Sequence, residues 1–111
     1  MAKKHTLSPQ TMQMVADRFK VMSDPMRLQI LNCLQEGELS VMQIVEATGA
    51  SQPNVSKHLK ILQNAGLLTR RREGNQAFFE IADESIFVMC EIVCDSLEQR
   101  LKVQAEAFSV A

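Results

Sequence analysis

The sequence predicts a mainly α-helical domain of about five helices carrying one small β-hairpin. Three observations point there. Apolar residues recur at helical spacing in five separate stretches, and only between residues 67 and 81 does the period shorten to that of strands. The helical stretches open on capping residues, often followed by proline, and three of them close at Gly37, Gly49 and Gly66. Hydrophobic residues make up 46% of the chain and aromatic ones only 5%, so Leu, Ile, Val and Met must do the packing. At 111 residues there is room for one core. The expected division is a flexible N-terminal segment at 1–7 and a single domain over 8–111.

In chain order, Ser8-Pro9 is a cap followed by proline at the first helical position. Met12, Val15, Phe19 and Met22 carry that helix to about residue 22. Ser23-Asp24-Pro25 stops it and starts a second, with Leu28, Leu31 and Leu34, and Ile30 beside them, as its apolar face and an end near Gly37. Glu38-Leu39 is a short connector with room for one strand rung. Ser40 and Gln43 form a capping box for a short third helix bearing Val41, Ile44 and Val45, closed by Gly49. Ser51 caps the fourth helix, Pro53 lies in its first turn and Gly66 ends it. Two helices joined by a tight glycine-containing turn are a helix-turn-helix.

The fourth helix carries the chemistry. Val55, Leu59 and Leu62 form its apolar stripe, leaving Gln52, Asn54, Ser56, Lys57 and Lys60 to point elsewhere. That set holds amides, a hydroxyl and ammonium groups but no carboxylate. It suits base edges and phosphates, since every member can donate a hydrogen bond and none repels an anion. Residues 67–72 and 76–81 then read as two strands around Glu73-Gly74-Asn75, a wing with Arg70, Arg71 and Arg72 near its tip. Such a wing tracks a phosphate backbone or enters a minor groove. Successive strand residues alternate sides, so not all three arginines can reach DNA. The total charge is −1, yet residues 51–76 hold five cations against Glu73 alone, a net +4 that leaves −5 elsewhere. A solvated basic surface would share this charge pattern, whereas the five basic residues favour a specific reader of double-stranded DNA over a protein-interaction module.

Asp83 caps a last helix of about 25 residues, striped by Ile86, Cys90, Val93, Leu97 and Leu101, with Phe87 and Cys94 beside it. So small a domain cannot cover that stripe. A two-fold homodimer through both terminal helices solves the problem and places Val15, Phe19, Cys90, Val93, Leu97 and Leu101 at the interface. It would also set two recognition helices about one DNA turn apart.

Several readings are disfavoured. No apolar run approaches the roughly 20 residues of a membrane span. No apolar block follows Lys3 and Lys4, so no signal peptide is expected. A cytoplasmic protein with reduced cysteines follows. No paired carboxylates, Ser/His/Asp arrangement or glycine-rich phosphate loop suggests an enzyme.

Asp24-Pro25-x-Arg27-Leu28-x-Ile30-Leu31, Ser51-Gln52-Pro53-x-Val55-Ser56-x-His58-Leu59-x-x-Leu62, Ala65-Gly66-Leu67 and Arg72-Glu73-Gly74 together resemble the ArsR/SmtB family of winged-helix repressors. The resemblance covers about residues 10–100. It implies a winged helix-turn-helix, a homodimer, and release from operator DNA by a small inducer, often a metal or metalloid ion. It also implies DNA contacts at Gln52, Pro53, Asn54, Ser56, Lys57, His58, Lys60, Arg71 and Arg72. His58 could instead anchor the recognition helix.

The chain departs from the family's sensing patterns. Where many members carry Cys-x-Cys, residues 38–43 hold no cysteine, and the Asp-x-His start of the interfacial zinc site reads Asp83-x-Ser85. His5 and His58 are the only histidines, which disfavours an imidazole-built zinc or nickel site. The cysteines remain. Cys90 and Cys94 share one helix face at i, i+4. Both could simply be small core residues. They could instead offer two thiolates to a soft ion such as As(III), Sb(III), Cd(II) or Pb(II), with a third ligand from Cys33, the other subunit or His5. The resemblance adds another possibility, since some relatives sense reactive sulfur or oxidants by bridging a second-helix cysteine to a last-helix one. Cys33 with Cys90 or Cys94 would be that pair, although Cys33 is offset by one residue from the favoured position. A Cys90–Cys94 disulfide is disfavoured by regular helix geometry. A regulator with no small-molecule sensor is the plainest alternative.

Overall fold

The computed structural model describes residues 6–110. His5, and with it most of the expected N-terminal segment, lies outside the described residues. The elements are α1 (Pro9–Met22), α2 (Pro25–Cys33), a 3-10 turn (Leu34–Glu36), β1 (Leu39–Ser40), α3 (Val41–Thr48), α4 (Gln52–Asn64), β2 (Leu68–Glu73), β3 (Gln76–Ile81) and α5 (Ser85–Val110).

Local chemistry sets the helix starts as the sequence suggests. The side chains of Ser8, Asp24 and Ser51 each accept the backbone N–H three residues on, at 3.1, 3.1 and 3.3 Å. At α3 the capping box is complete: Gln43 N–H donates to Ser40 Oγ at 3.2 Å, and Ser40 N–H donates to Gln43 Oε1 at 2.8 Å. Gly49 ends α3 with φ 72°, a left-handed conformation in which its N–H still reaches the Val45 carbonyl at 2.9 Å. That single residue turns the chain from α3 into α4.

Three details differ from expectation. The sheet has three strands, ordered β1-β3-β2, because Leu39 and Ser40 pair with Phe79 and Phe78. Glu73 belongs to β2 and pairs with Gln76, so the wing turns on Gly74-Asn75 alone, with Gly74 at φ 61°. Leu28 is 39% exposed. The rest of the expected face, Ile30 and Leu31 on α2 and Leu34 in the 3-10 turn, is buried.

The core lies where α2, α3, α4 and the sheet meet: Ile30, Leu34, Ile44, Leu59, Leu62 and Leu67 are almost wholly buried. Ile86 brings the start of α5 into it. From Glu91 to Ser109 every residue of α5 is exposed. The radius of gyration is 17.4 Å, against about 13 Å for a compact domain of this length. The excess is the projecting α5, since 26 helical residues span about 39 Å.

Candidate nucleic-acid interface

α4 is held by its inner face. Val55, Leu59 and Leu62 are at most 1% exposed, which fixes the rotation of the helix and therefore what it presents outward. Gln52, Ser56, Lys60 and Gln63 then form one exposed row at i, i+4, i+8 and i+11. Across from this row stand the wing and the first turn of α3, and an open cleft of about 660 Å³ runs between them. Met42, Arg70, Asn75 and Gln76 line its other walls, and no carboxylate lines it anywhere. The cleft thus offers amides, a hydroxyl, an ammonium and a guanidinium to an occupant, and nothing that repels an anion.

The expected contact residues divide. Gln52, Ser56 and Lys60 line the cleft. Pro53 and Lys57 are exposed and Asn54 is half-buried, all outside the cleft lining. His58 is only 7% exposed and belongs to the buried side of α4. Its imidazole contributes to lowering the Asp24 carboxyl below its ordinary range, although the Arg27 backbone N–H is the larger cause. The Nδ1 of His58 is buried and has no hydrogen-bond partner among the described residues. Gln63 and Asn64, in the last turn of α4, line the cleft and were not singled out from the sequence. Their amides carry no signal that distinguishes them from ordinary surface residues.

The arginines also sort differently. In β2, Leu68, Arg70 and Arg72 share one side, and Leu68 is buried, so this side looks toward α4. Arg70 lines the cleft. Arg72, opposite Ala77, continues the same side toward the tip. Arg71 points to the other side of the sheet. There its Nε and Nη2 donate to both oxygens of Glu38, at 3.0 and 2.8 Å, and its Nη1 donates to Glu73 at 2.9 Å. Its guanidinium also lies 4.6 Å from the Phe78 ring centroid. Hydrogen bonds to Glu38 and then Glu73 push its pKa up, and the same guanidinium pulls the Glu38 carboxyl down. Arg71 is therefore engaged within the protein, and Arg70 takes the place on the α4 side.

The three cysteines form no disulfide. Cys33 at the end of α2 and Cys90 in α5 are half-buried, Cys94 is exposed, and all three are free. Among the described residues, no group of three or more His, Cys, Asp or Glu side chains is placed to hold a metal ion. Cys33 thus does not complete a three-ligand site with Cys90 and Cys94 within one chain. Two thiols one turn apart are an incomplete donor set for a soft ion, so the described residues of a single chain do not by themselves fit one.

The terminal helices present the apolar surface that the stripe anticipates. Val15 and Phe19 on α1 are 40% and 56% exposed, and Val93, Leu97 and Leu101 on α5 are 54–64% exposed. Cys90, at the edge of this surface, packs partly against the core. An ion pair of 3.1 Å between Arg18 and Asp83 ties α1 to the start of α5. Asp83 also accepts the hydroxyl and backbone N–H of Ser85. Its carboxyl is lowered by the Ser85 hydroxyl first, then by that N–H and by Arg18. None of the described helices is long and apolar enough to cross a membrane.

Comparison with known proteins gives a consistent picture. Residues 24–70 match the family model for bacterial regulatory proteins of the arsR family. An uncharacterised HTH-type transcriptional regulator of Methanocaldococcus jannaschii is 38% identical over 79 residues, covering 70% of this chain and 89% of that protein. The arsenical resistance operon repressor of Staphylococcus xylosus is 42% identical over 65 residues, 59% of this chain and 62% of the repressor. The chain spans about two thirds or less of the length of most curated relatives it matches. Among solved structures, a homodimeric winged helix-turn-helix DNA-binding domain from Mycobacterium bovis, described as a possible ArsR-family regulator, superposes with a TM-score of 0.72. It is 34% identical, with 86% of this chain and 91% of that chain covered.

Proposed function

The chain belongs to the ArsR family of bacterial regulatory proteins, and from that premise we propose that it is a homodimeric transcriptional repressor that binds double-stranded operator DNA. The observation that carries this reading is the cleft between α4 and the wing. It is free of carboxylates, and Gln52, Ser56, Lys60 and Arg70 converge on it in a protein whose net charge is −1. A duplex seated there meets base-reading amides from α4 and phosphate-binding cations from Lys60, Arg70 and Arg72. Dimerisation through α1 and α5 covers the exposed stripe and presents two such clefts to a palindromic site.

The inducer acts on the thiols of α5. Cys94 is open to solvent, and Cys90 lies one turn before it where α5 leaves the core. A soft ion would need the second subunit to complete its ligands; an oxidant or reactive sulfur species would need only thiols. Either would work by shifting the dimer between arrangements that do and do not fit DNA, with a coupling of about 1–3 kcal/mol.

A mobility-shift titration on the duplex upstream of the protein's own coding region tests the reading. Binding should weaken steeply with salt, and absence of a shift even at low salt would overturn it in favour of a protein-binding module. Mass spectrometry after As(III) or polysulfide treatment then separates a bound ion from a crosslink. Cys33→Ser, Cys90→Ser and Cys94→Ser that all leave induced release unchanged would remove the cysteine sensor.

A further inference from the structure

Arg71 is the one wing arginine turned away from the cleft, yet it makes more interactions than any other cation in the described residues. It grips both oxygens of Glu38, which stands 33 residues earlier on the segment leading into β1. It also holds Glu73 at the end of its own strand and lies over Phe78 of β3. Three side chains, from the connector and both wing strands, thus close on one guanidinium. The arrangement spans all three strands, because the segment after Glu38 pairs with β3 and β3 pairs with β2. Glu38 and Glu73 are also carboxylates at the wing's base and tip, where an approaching duplex would bring phosphates. One cation with a bidentate and a single bond offsets much of their repulsion.

We infer that Arg71 is a positioning residue, a latch that sets the wing against the rest of the sheet and thereby sets the width of the cleft in which Arg70 faces α4. The inference rests on the DNA-binding reading for its consequence, but the latch can be observed without DNA. In this arrangement Arg71 donates to protein carboxylates when DNA is bound. It gives the phosphate backbone no direct contact. Its effect reaches DNA through Arg70 and Arg72, whose phosphate contacts hold the register in which Gln52 and Ser56 meet base edges. A guanidinium is required, since an ammonium cannot span two oxygens of Glu38 and reach Glu73 at once.

The test uses Glu38→Gln, Arg71→Gln and Arg71→Lys in the full chain, with two readouts. The first is amide hydrogen exchange of the DNA-free protein. All three variants should speed exchange across residues 68–81 and leave α3 and α4 unchanged; unaltered wing exchange in all three overturns the latch, whether or not the protein binds DNA. The second is the ratio of affinities for the operator and for an unrelated duplex, in which a general change of charge cancels. A latch predicts that each variant lowers the ratio about fivefold, as an exposed ion-pair cluster allows, with the salt slope kept. A direct phosphate contact predicts the opposite pattern. Arg71→Gln would then lower the slope by about one, Arg71→Lys would retain most binding, and Glu38→Gln would leave the ratio alone. If the wild-type protein binds no duplex while the exchange result holds, the DNA-binding reading fails and the latch stands.

Discussion

In α4 the apolar stripe of Val55, Leu59 and Leu62 is at most 1% exposed, whereas in α5 the stripe of Val93, Leu97 and Leu101 stands 54–64% open. Both helices are amphipathic by the same spacing rule, and their outer surfaces have opposite meanings. α4 lies across α2, α3 and the sheet, so its hydrophobic face is satisfied and its polar face is free for a ligand. α5 leaves the core after Cys90, so its hydrophobic face has nothing within its own chain to lie on. Each such side chain, once covered, contributes about 1.5–3 kcal/mol. On the proposed reading one helix would read DNA and the other would associate, and burial tells the two apart.

The comparison breaks most visibly at α5. Changing Leu97 and Leu101 together to Asp should leave helical content intact, give a monomer by sedimentation and weaken operator binding on the order of 10²–10⁴-fold by loss of bivalency. A dimer that persists in that variant would mean the exposed stripe is not the interface. On the α4 side, Leu59→Ala should cost about 2–5 kcal/mol in urea unfolding, independent of protein concentration, because the cavity opens inside one chain. Next, Gln52→Ala should cost about 1–3 kcal/mol for a lost base contact and relax sequence preference in a competition assay. Asn54→Ala, half-buried and outside the cleft, should do less. Arg70→Ala should reduce the salt slope by about one and, because its phosphate contact holds the register, weaken the operator more than an unrelated duplex; an unaltered slope would place phosphate elsewhere.

The smallest effect is with acid. The carboxyls of Asp24, Glu38 and Asp83 all lie below their ordinary values of 3.8, 4.5 and 3.8. Between the folded and unfolded values the unfolded chain binds more protons, so stability rises with pH there. Their stabilisation is therefore present above about pH 4.5 and is lost as pH falls through the depressed values. Thermal unfolding at pH 7 and pH 3 should differ less in Asp83→Asn than in the wild type.

Local signals made most of the architecture legible. The caps at Ser8, Asp24, Ser40 and Ser51 and the turn at Gly49 act within a few residues, so the sequence displays both partners side by side. The same holds for the row of Gln52, Ser56 and Lys60, because the helical period alone separates it from Val55, Leu59 and Leu62. What the sequence could not assign are choices made across long separations. Three consecutive arginines must alternate in direction, but only the packing of Leu68 against the core decides that Arg70 and Arg72 turn toward α4. Arg71's partner Glu38 lies 33 residues away and carries no mark of the pairing. His58 reads as a polar residue of a DNA-facing helix, and its burial depends on where α2 begins in space. Helix identity and capping were thus determined by the chain itself, through interactions a turn or two long. Which polar side chains line the cleft, which pair within the wing and how far each thiol is buried were decided only by tertiary packing, because those partners meet only when distant segments share one core.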